Sequence, residues 1–147
     1  MHKDLPRETS LQVRDTCLCL HLQRAARVVA RRFDDAFRPL DLTNGQFSLL
    51  MSLNRPEPPS IGMISTALAM DRTTLTANLK PLERRGLVKV AIDKADKRSR
   101  RLSLTPAGRT LLVAALPIWK HTHAAIDRLL GGGTNPDRLR ADLRALS

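Results

Sequence analysis

Reactive side chains are few in this sequence. Cys17 and Cys19 are its two thiols. A thiolate near a helix N-terminus has a lowered pKa and is the species that oxidises, so thiol oxidation is one chemistry open to the chain. The pair lies two positions apart, which turns the side chains to different sides of a helix and disfavours a bridge between them. Two cysteines also cannot form a disulfide framework or a four-ligand zinc site. His121 and His123 are likewise two apart, with no Cys or carboxylate at ligand spacing beside them, so no metal is expected. The chain has no Gly-rich phosphate loop, zinc-protease helix or serine elbow. Its Gly131-Gly-Gly run has no strand before it and no Lys after it, and reads as a linker. Neither an enzyme nor a cofactor is expected.

Charge is the larger chemical signal. Lys and Arg number 25 against 14 Asp and Glu, a net +11 over 147 residues. Between Arg72 and Arg109 eleven basic residues face three acidic ones, which places +8 in one stretch. A focused basic patch fits a polyanionic partner. The chain has three Phe, one Trp and no Tyr. Single-strand and RNA modules stack bases on exposed rings, so duplex DNA is the better match and a basic RNA-binding module the rival from another class. A competition between duplex DNA and RNA separates the two. No apolar run approaches the roughly 18–20 residues of a membrane span. Met1 to Arg14 lacks the apolar centre of a signal peptide, so a cytoplasmic protein is expected.

These cations need elements to position them. Residues 15 to 40 read as one long helix, with Leu18, Leu22, Ala25, Val29, Phe33 and Phe37 in an apolar stripe and Pro39 as its stop. A helix of about 23 residues is about 34 Å long, which suits assembly. A second helix spans about Thr43 to Asn54, with Thr43 as N-cap and an apolar face of Phe47, Leu50 and Met51. After a three-proline loop, Ser60 caps a short helix and Asp71 caps the next, which ends at Gly86. The period then changes to two. Leu87–Ile92 and Arg101–Thr105 read as strands around the polar tip 93–100. Thr105-Pro106 opens another long helix to about Leu130, with Pro117 inside it, and Asp137 to Leu146 forms a last short one.

Helix, helix, hairpin between residues 60 and 105 is the order of a winged helix-turn-helix. The fold class is mainly α with a small β-hairpin wing (α+β), a winged helix-turn-helix carrying long helices whose length suits assembly. Leu75, Leu79 and Leu82 turn one side of the second helix to the core, and Arg72, Thr73, Thr76, Ala77 and Lys80 fall opposite. Such a helix fits the major groove, where Arg takes guanine through two bonds and Thr offers a hydroxyl and a methyl. The hairpin tip carries Lys94, Lys97, Arg98, Arg100 and Arg101 for phosphates or the minor groove. Asp96 is expected to hold Arg98 through a bidentate pair.

The segment Met70-Asp-Arg-Thr-Thr-Leu-Thr-Ala-Asn-Leu-Lys-Pro-Leu-Glu-Arg-Arg-Gly-Leu-Val88, with Asp96-Lys-Arg98 and Leu104-Thr105-Pro-Ala-Gly108, resembles the MarR family of bacterial transcriptional regulators. The resemblance implies a repressor that is an obligate homodimer, with residues 1–40 and 106–147 as interlocking dimerisation helices. Residues 41–105 would form the DNA-binding lobe, with Asp96 and Arg98 as its minor-groove pair. Many members carry Arg where this chain has Ala77, so base reading falls to Arg72, Thr73, Thr74, Thr76 and Lys80. Pro81 is expected to bend the second half of the recognition helix away from DNA. The signal implied is a small anionic or aromatic effector between the dimer helices and the lobe, with His21, Arg24 and Phe47 as candidate lining. The alternative is oxidation. Thr74–Lys80 with Leu82-Glu83 is similar to the organic-hydroperoxide-sensing branch, and Cys19 falls at the place of its reactive thiol. That branch holds its Cys with tyrosines, where this chain has Asn44 and Phe47.

Overall fold

The computed structural model describes residues 4–147. Met1 to Lys3, part of the stretch read for a signal peptide and of the 1–40 segment, lie outside the described residues. Helix α1 (Arg7–Thr16) precedes α2 (Leu18–Phe37), and a 3-10 turn (Arg38–Leu40) follows. Then come α3 (Asn44–Ser52), α4 (Ile61–Ala67) and α5 (Arg72–Arg84). Strands β1 (Val88–Ile92) and β2 (Arg100–Leu104) precede α6 (Pro106–Arg128) and α7 (Pro136–Arg144).

The long first helix expected over 15 to 40 is two helices, divided at Cys17. Cys17 is extended, at φ −70° and ψ 105°, and its sulfur accepts the Leu20 N–H as the N-cap of α2. Thr16 at the end of α1 donates its hydroxyl to the Gln12 carbonyl. The Leu20 N–H that Cys17 takes would go to the Thr16 carbonyl in a continuous helix, and this competition favours a break there; the Thr16 bond is compatible with a helix and at most bends it. At its far end α2 stops two residues before Pro39, and Asp41 at φ +49° closes the 3-10 turn.

The other starts follow their capping residues. Thr43 and Gln46 form a reciprocal capping box on α3. Ser60 accepts the Met63 N–H, and Thr105 accepts the Gly108 N–H. α5 continues through Pro81 to Arg84, losing one donor without ending there.

The core gathers Phe37, Phe47, Leu49 and Leu50 with Ile64, Leu75, Leu79 and Leu82, closed by Val88, Leu102, Leu104 and Leu112. On α3 it is Leu49 that is buried, whereas Met51 is 39% exposed. α2 packs on α3 and α6, and α5 packs on α3, α4 and β1. The strands are antiparallel with Val88 opposite Leu104 and Ile92 opposite Arg100. The outer edge of β2 is covered by the proline loop, where the Leu102 N–H donates to the Pro59 carbonyl at 2.9 Å. This joins the wing to the start of α4.

Candidate nucleic-acid interface

The turn between α4 and α5 sets the angle of the exposed helix face. Ala69 takes the left-handed conformation at φ +49°. Ser65 donates its hydroxyl to the Met70 carbonyl at 2.5 Å. Asp71 then caps α5, accepting the Thr74 N–H and the Thr74 hydroxyl, each at 2.8 Å. These bonds hold the Asp71 carboxyl below its ordinary value, the backbone N–H contributing most. Thr74, expected among the base readers, has its hydroxyl engaged by this cap. Leu75, Leu79 and Leu82 are buried, and Arg72, Thr73, Thr76, Ala77 and Lys80 are exposed on the opposite side.

The wing tip is built on two aspartates. Asp93 accepts the Ala95 N–H at 2.9 Å and pairs with the Arg101 Nε at 2.7 Å. The Ala95 bond, then the guanidinium, lowers the Asp93 carboxyl from its ordinary range. Asp96 does not form the expected bidentate pair with Arg98. Its carboxylate accepts the Arg98 backbone N–H at 3.0 Å and shapes the turn. Two residues give that carboxylate a short reach to the backbone, and the Arg98 guanidinium is left to solvent. Arg101 is the paired cation, also donating to the Pro58 carbonyl at 3.3 Å. Arg100 lies across the carbonyls of Lys97 and Ser99, at 3.3 and 3.4 Å. Lys94, Lys97 and Arg98 are exposed.

Recognition helix and wing meet in one polar cleft of about 380 Å³, lined by Arg72 and Thr76 on one side and Asp96, Arg98 and Arg100 on the other. Ser60 and Gly62 of the α4 start form its floor. Three residues of this region carry no mark in the sequence: Asp93, Gly62 and Arg85. Arg85 at the end of α5 donates to the carbonyls of Asp41 and Leu40, at 2.5 and 3.3 Å, and ties the reading helix to the end of α2. The partners lie more than forty positions apart, so no local signal marks that contact.

The candidate effector residues separate. Phe47 lines a groove of about 350 Å³ between α2, α3 and α6, with Val29, Phe33, Phe37 and Trp119. His21 and Arg24 are exposed and do not line it. His21 instead contacts the Cys17 carbonyl through Nδ1 at 2.8 Å. Asn44 donates to Asp34 through both its backbone N–H and its side-chain amide. Cys17, not Cys19, places its sulfur at the N-terminus of α2. Cys19 is exposed, with the Gln23 amide 3.3 Å from its sulfur. His123 stacks on Trp119 at 4.8 Å and lies 3.7 Å from Asp127, a carboxylate one helical turn further on. Among the described residues no three His, Cys, Asp or Glu side chains group as metal ligands.

A helix-turn-helix whose exposed face adjoins a basic hairpin defines the class: a winged helix-turn-helix, an arrangement that places a helix in the major groove of duplex DNA. The MarR family's sequence profile matches residues 42–99. The fold is similar to the transcriptional regulator MosR of M. tuberculosis in complex with DNA, with TM-score 0.79 and 36% identity over 88% of this chain and 92% of that one. The chain is 30% identical to the organic hydroperoxide resistance transcriptional regulator of Bacillus subtilis, over 69% of each protein. It is also 30% identical to the transcriptional regulator SarZ of Staphylococcus haemolyticus, over 62% of each. The matches to the first curated relatives span 50% to 62% of those proteins' length. The chain belongs to the MarR family.

Proposed function

We propose that this protein is a transcriptional regulator that binds a pseudo-palindromic duplex DNA site as a homodimer and represses until a small molecule distorts the dimer. The observation that carries this reading is the face shared by α5 and the wing. It presents Arg72, Lys80, Lys94, Lys97 and Arg98 without an ion-pair partner among the described residues, directly behind a buried leucine row. Cations of this kind take phosphates, and the helix face between them takes base edges.

Residues 41–105 form the reading lobe in this proposal, and 1–40 with 106–147 form the dimer. α1 and α7 bury no residue within one chain. Leu5, Val13, Leu18, Leu129, Leu143 and Leu146 are all more than a third exposed. A second copy would cover that apolar surface and set the two heads on half-sites about one DNA turn apart. The groove beside Phe47 is the effector site, and the protein is not an enzyme. Among the described residues no helix is long and apolar enough to cross a membrane, and we place the protein in the cytoplasm.

The test begins with duplex sites recovered by genome-wide binding of the tagged protein. Duplex DNA is expected to displace a bound probe at concentrations where RNA of equal length does not. Arg98→Ala should weaken binding and make the slope of log affinity against log salt shallower by about 0.9 for each phosphate it no longer neutralises. Unchanged affinity with unchanged slope would overturn the wing assignment.

A second reading is favoured by one observation, the Cys17 sulfur at the N-terminus of α2. An organic hydroperoxide would oxidise a thiolate there to the sulfenic acid and be reduced to its alcohol. In that case Cys17→Ser or Cys19→Ser keeps the protein on DNA in the presence of cumene hydroperoxide, while the wild type leaves. Release that is equal in the wild type and the double variant removes the thiol reading.

A further inference from the structure

The chain has a glycine where α4 begins, and the end of the Arg72 side chain lies against it. A Cβ built at Gly62 would stand 3.1 Å from Nη2 of Arg72 and 3.9 Å from its Cζ. The guanidinium therefore rests across the bare Cα of Gly62, folded back toward α4 and the wing. It points into the polar cleft and not along the outer face of the recognition helix.

That cleft has an excess of cations. Arg72, Arg98 and Arg100 all line it. Arg72 and Arg98 have no ion pair among the described residues, and Arg100 bonds only to carbonyls. The one carboxylate in the lining, Asp96, accepts the Arg98 backbone N–H through Oδ1 and keeps its single negative charge, which three guanidinium groups outnumber. The hydroxyls of Ser60 and Thr76 complete the wall, although Ser60 also caps α4. Planar guanidinium groups recognise phosphate through paired N–H bonds, and three of them facing one carboxylate leave the cleft with an excess of positive charge that suits an oxyanion. A volume of about 380 Å³ accepts a phosphodiester with its bridging waters.

We infer that this cleft seats one phosphate of the DNA backbone, that Arg72 is a phosphate ligand and not a reader of guanine, and that Gly62 is the residue that positions it. The inference rests on the duplex-binding reading above. It revises the role that the sequence alone suggests for Arg72. Sequence discrimination then belongs to Thr73, Ala77 and Lys80, which do not line the cleft and remain on the outer face of α5. A phosphate held between α4 and the wing fixes the depth of the helix in the groove and carries no sequence information itself.

The experiment measures anisotropy on a recovered operator and on the same duplex with scrambled half-sites, across a salt series. Arg72→Ala is expected to weaken both duplexes by the same factor and to reduce the salt slope by about 0.9. The ratio of operator to scrambled affinity should stay within about twofold of the wild type, inside the usual additivity error. A fall in that ratio of about 5- to 150-fold would mean that a guanine pair had been removed and would overturn the assignment. Unchanged affinity and slope would overturn it too.

Gly62→Ala should reproduce the loss in part, with unchanged thermal melting, and should add nothing in the Arg72→Ala background. An equal loss in both backgrounds would remove the positioning role. A set of operators carrying one neutral methylphosphonate each locates the seat. The wild type should lose affinity at one backbone position per half-site where Arg72→Ala is indifferent. Inorganic phosphate at constant ionic strength tests the other source of the same chemistry. Release by millimolar phosphate, with no sensitive methylphosphonate position, would make this a free-anion site and overturn the inference. A wild-type protein that binds neither duplex overturns the duplex-binding reading itself, and this inference with it.

Discussion

Phe37→Ala is expected to destabilise the protein by about 3–5 kcal/mol, the usual cost of truncating a buried phenylalanine. Phe37 is 0% exposed and is the last residue of α2. Its ring stacks on Phe33 at 5.9 Å and on Phe47 at 4.9 Å. Removing it leaves a void where the long helix meets α3. The walls cannot close that void cheaply, because Leu42 continues from a turn already fixed by Asp41 in the left-handed region. Denaturant unfolding at one protein concentration measures the change, since the midpoint of a chain that associates moves with concentration. The midpoint should fall with little change in m. A loss under about 1 kcal/mol would place Phe37 at a surface site, against its burial.

Gly108→Ala is expected to destabilise as well, with the sign opposite to the ordinary rule. In a helix interior alanine exceeds glycine by about 1 kcal/mol. At Gly108, however, a Cβ would stand 2.2 Å from the Leu87 carbonyl oxygen and 3.2 Å from a Leu104 methyl. The obstruction is backbone, and two further bonds pin it. The Thr105 N–H donates to the Leu87 carbonyl at 3.1 Å, and its hydroxyl donates to the Gly86 carbonyl at 2.6 Å. Either α6 must lift or the start of β1 must move. Overpacking of this kind costs about 1–3 kcal/mol or more. The wing root shares the strain, so DNA affinity should fall together with the melting temperature. Gly45→Ala in α3 is the control, because nothing lies within 4 Å of a Cβ there. A Gly108→Ala protein as stable as the wild type would contradict the close approach of α6 to Leu87.

The parts of this fold that are legible in the sequence are local. Thr43, Ser60, Asp71 and Thr105 each announce a helix start by a side chain that bonds the backbone three residues on. The hairpin is marked by its change of period, and the leucine row of α5 by its spacing. What escapes depends on contacts through space. The break at Cys17 looks like a continuous stripe because Leu18 and Leu22 keep the helical phase. Asp96 and Arg98 invite pairing by proximity, yet the shorter bond from carboxylate to backbone prevails and Arg101 takes Asp93. The turn of Arg72 over Gly62 needs α4 and α5 set against each other, which no spacing records. His21 and Arg24 suit an effector crevice by residue type, whereas their own turn of α2 faces solvent.

The aromatic residues form one file. Phe33, Phe37, Phe47 and Trp119 follow each other at centroid separations of 5.9, 4.9 and 6.5 Å, and His123 closes the row. These are all the Phe and Trp side chains of a chain without tyrosine. Emission excited at wavelengths beyond phenylalanine absorption therefore has a single origin, an indole on the wall of the Phe47 groove with an imidazole stacked on its face. A molecule entering that groove changes the surroundings of that indole. The protein carries its own unlabelled optical gauge of that crevice, readable in a cuvette before any effector has been named.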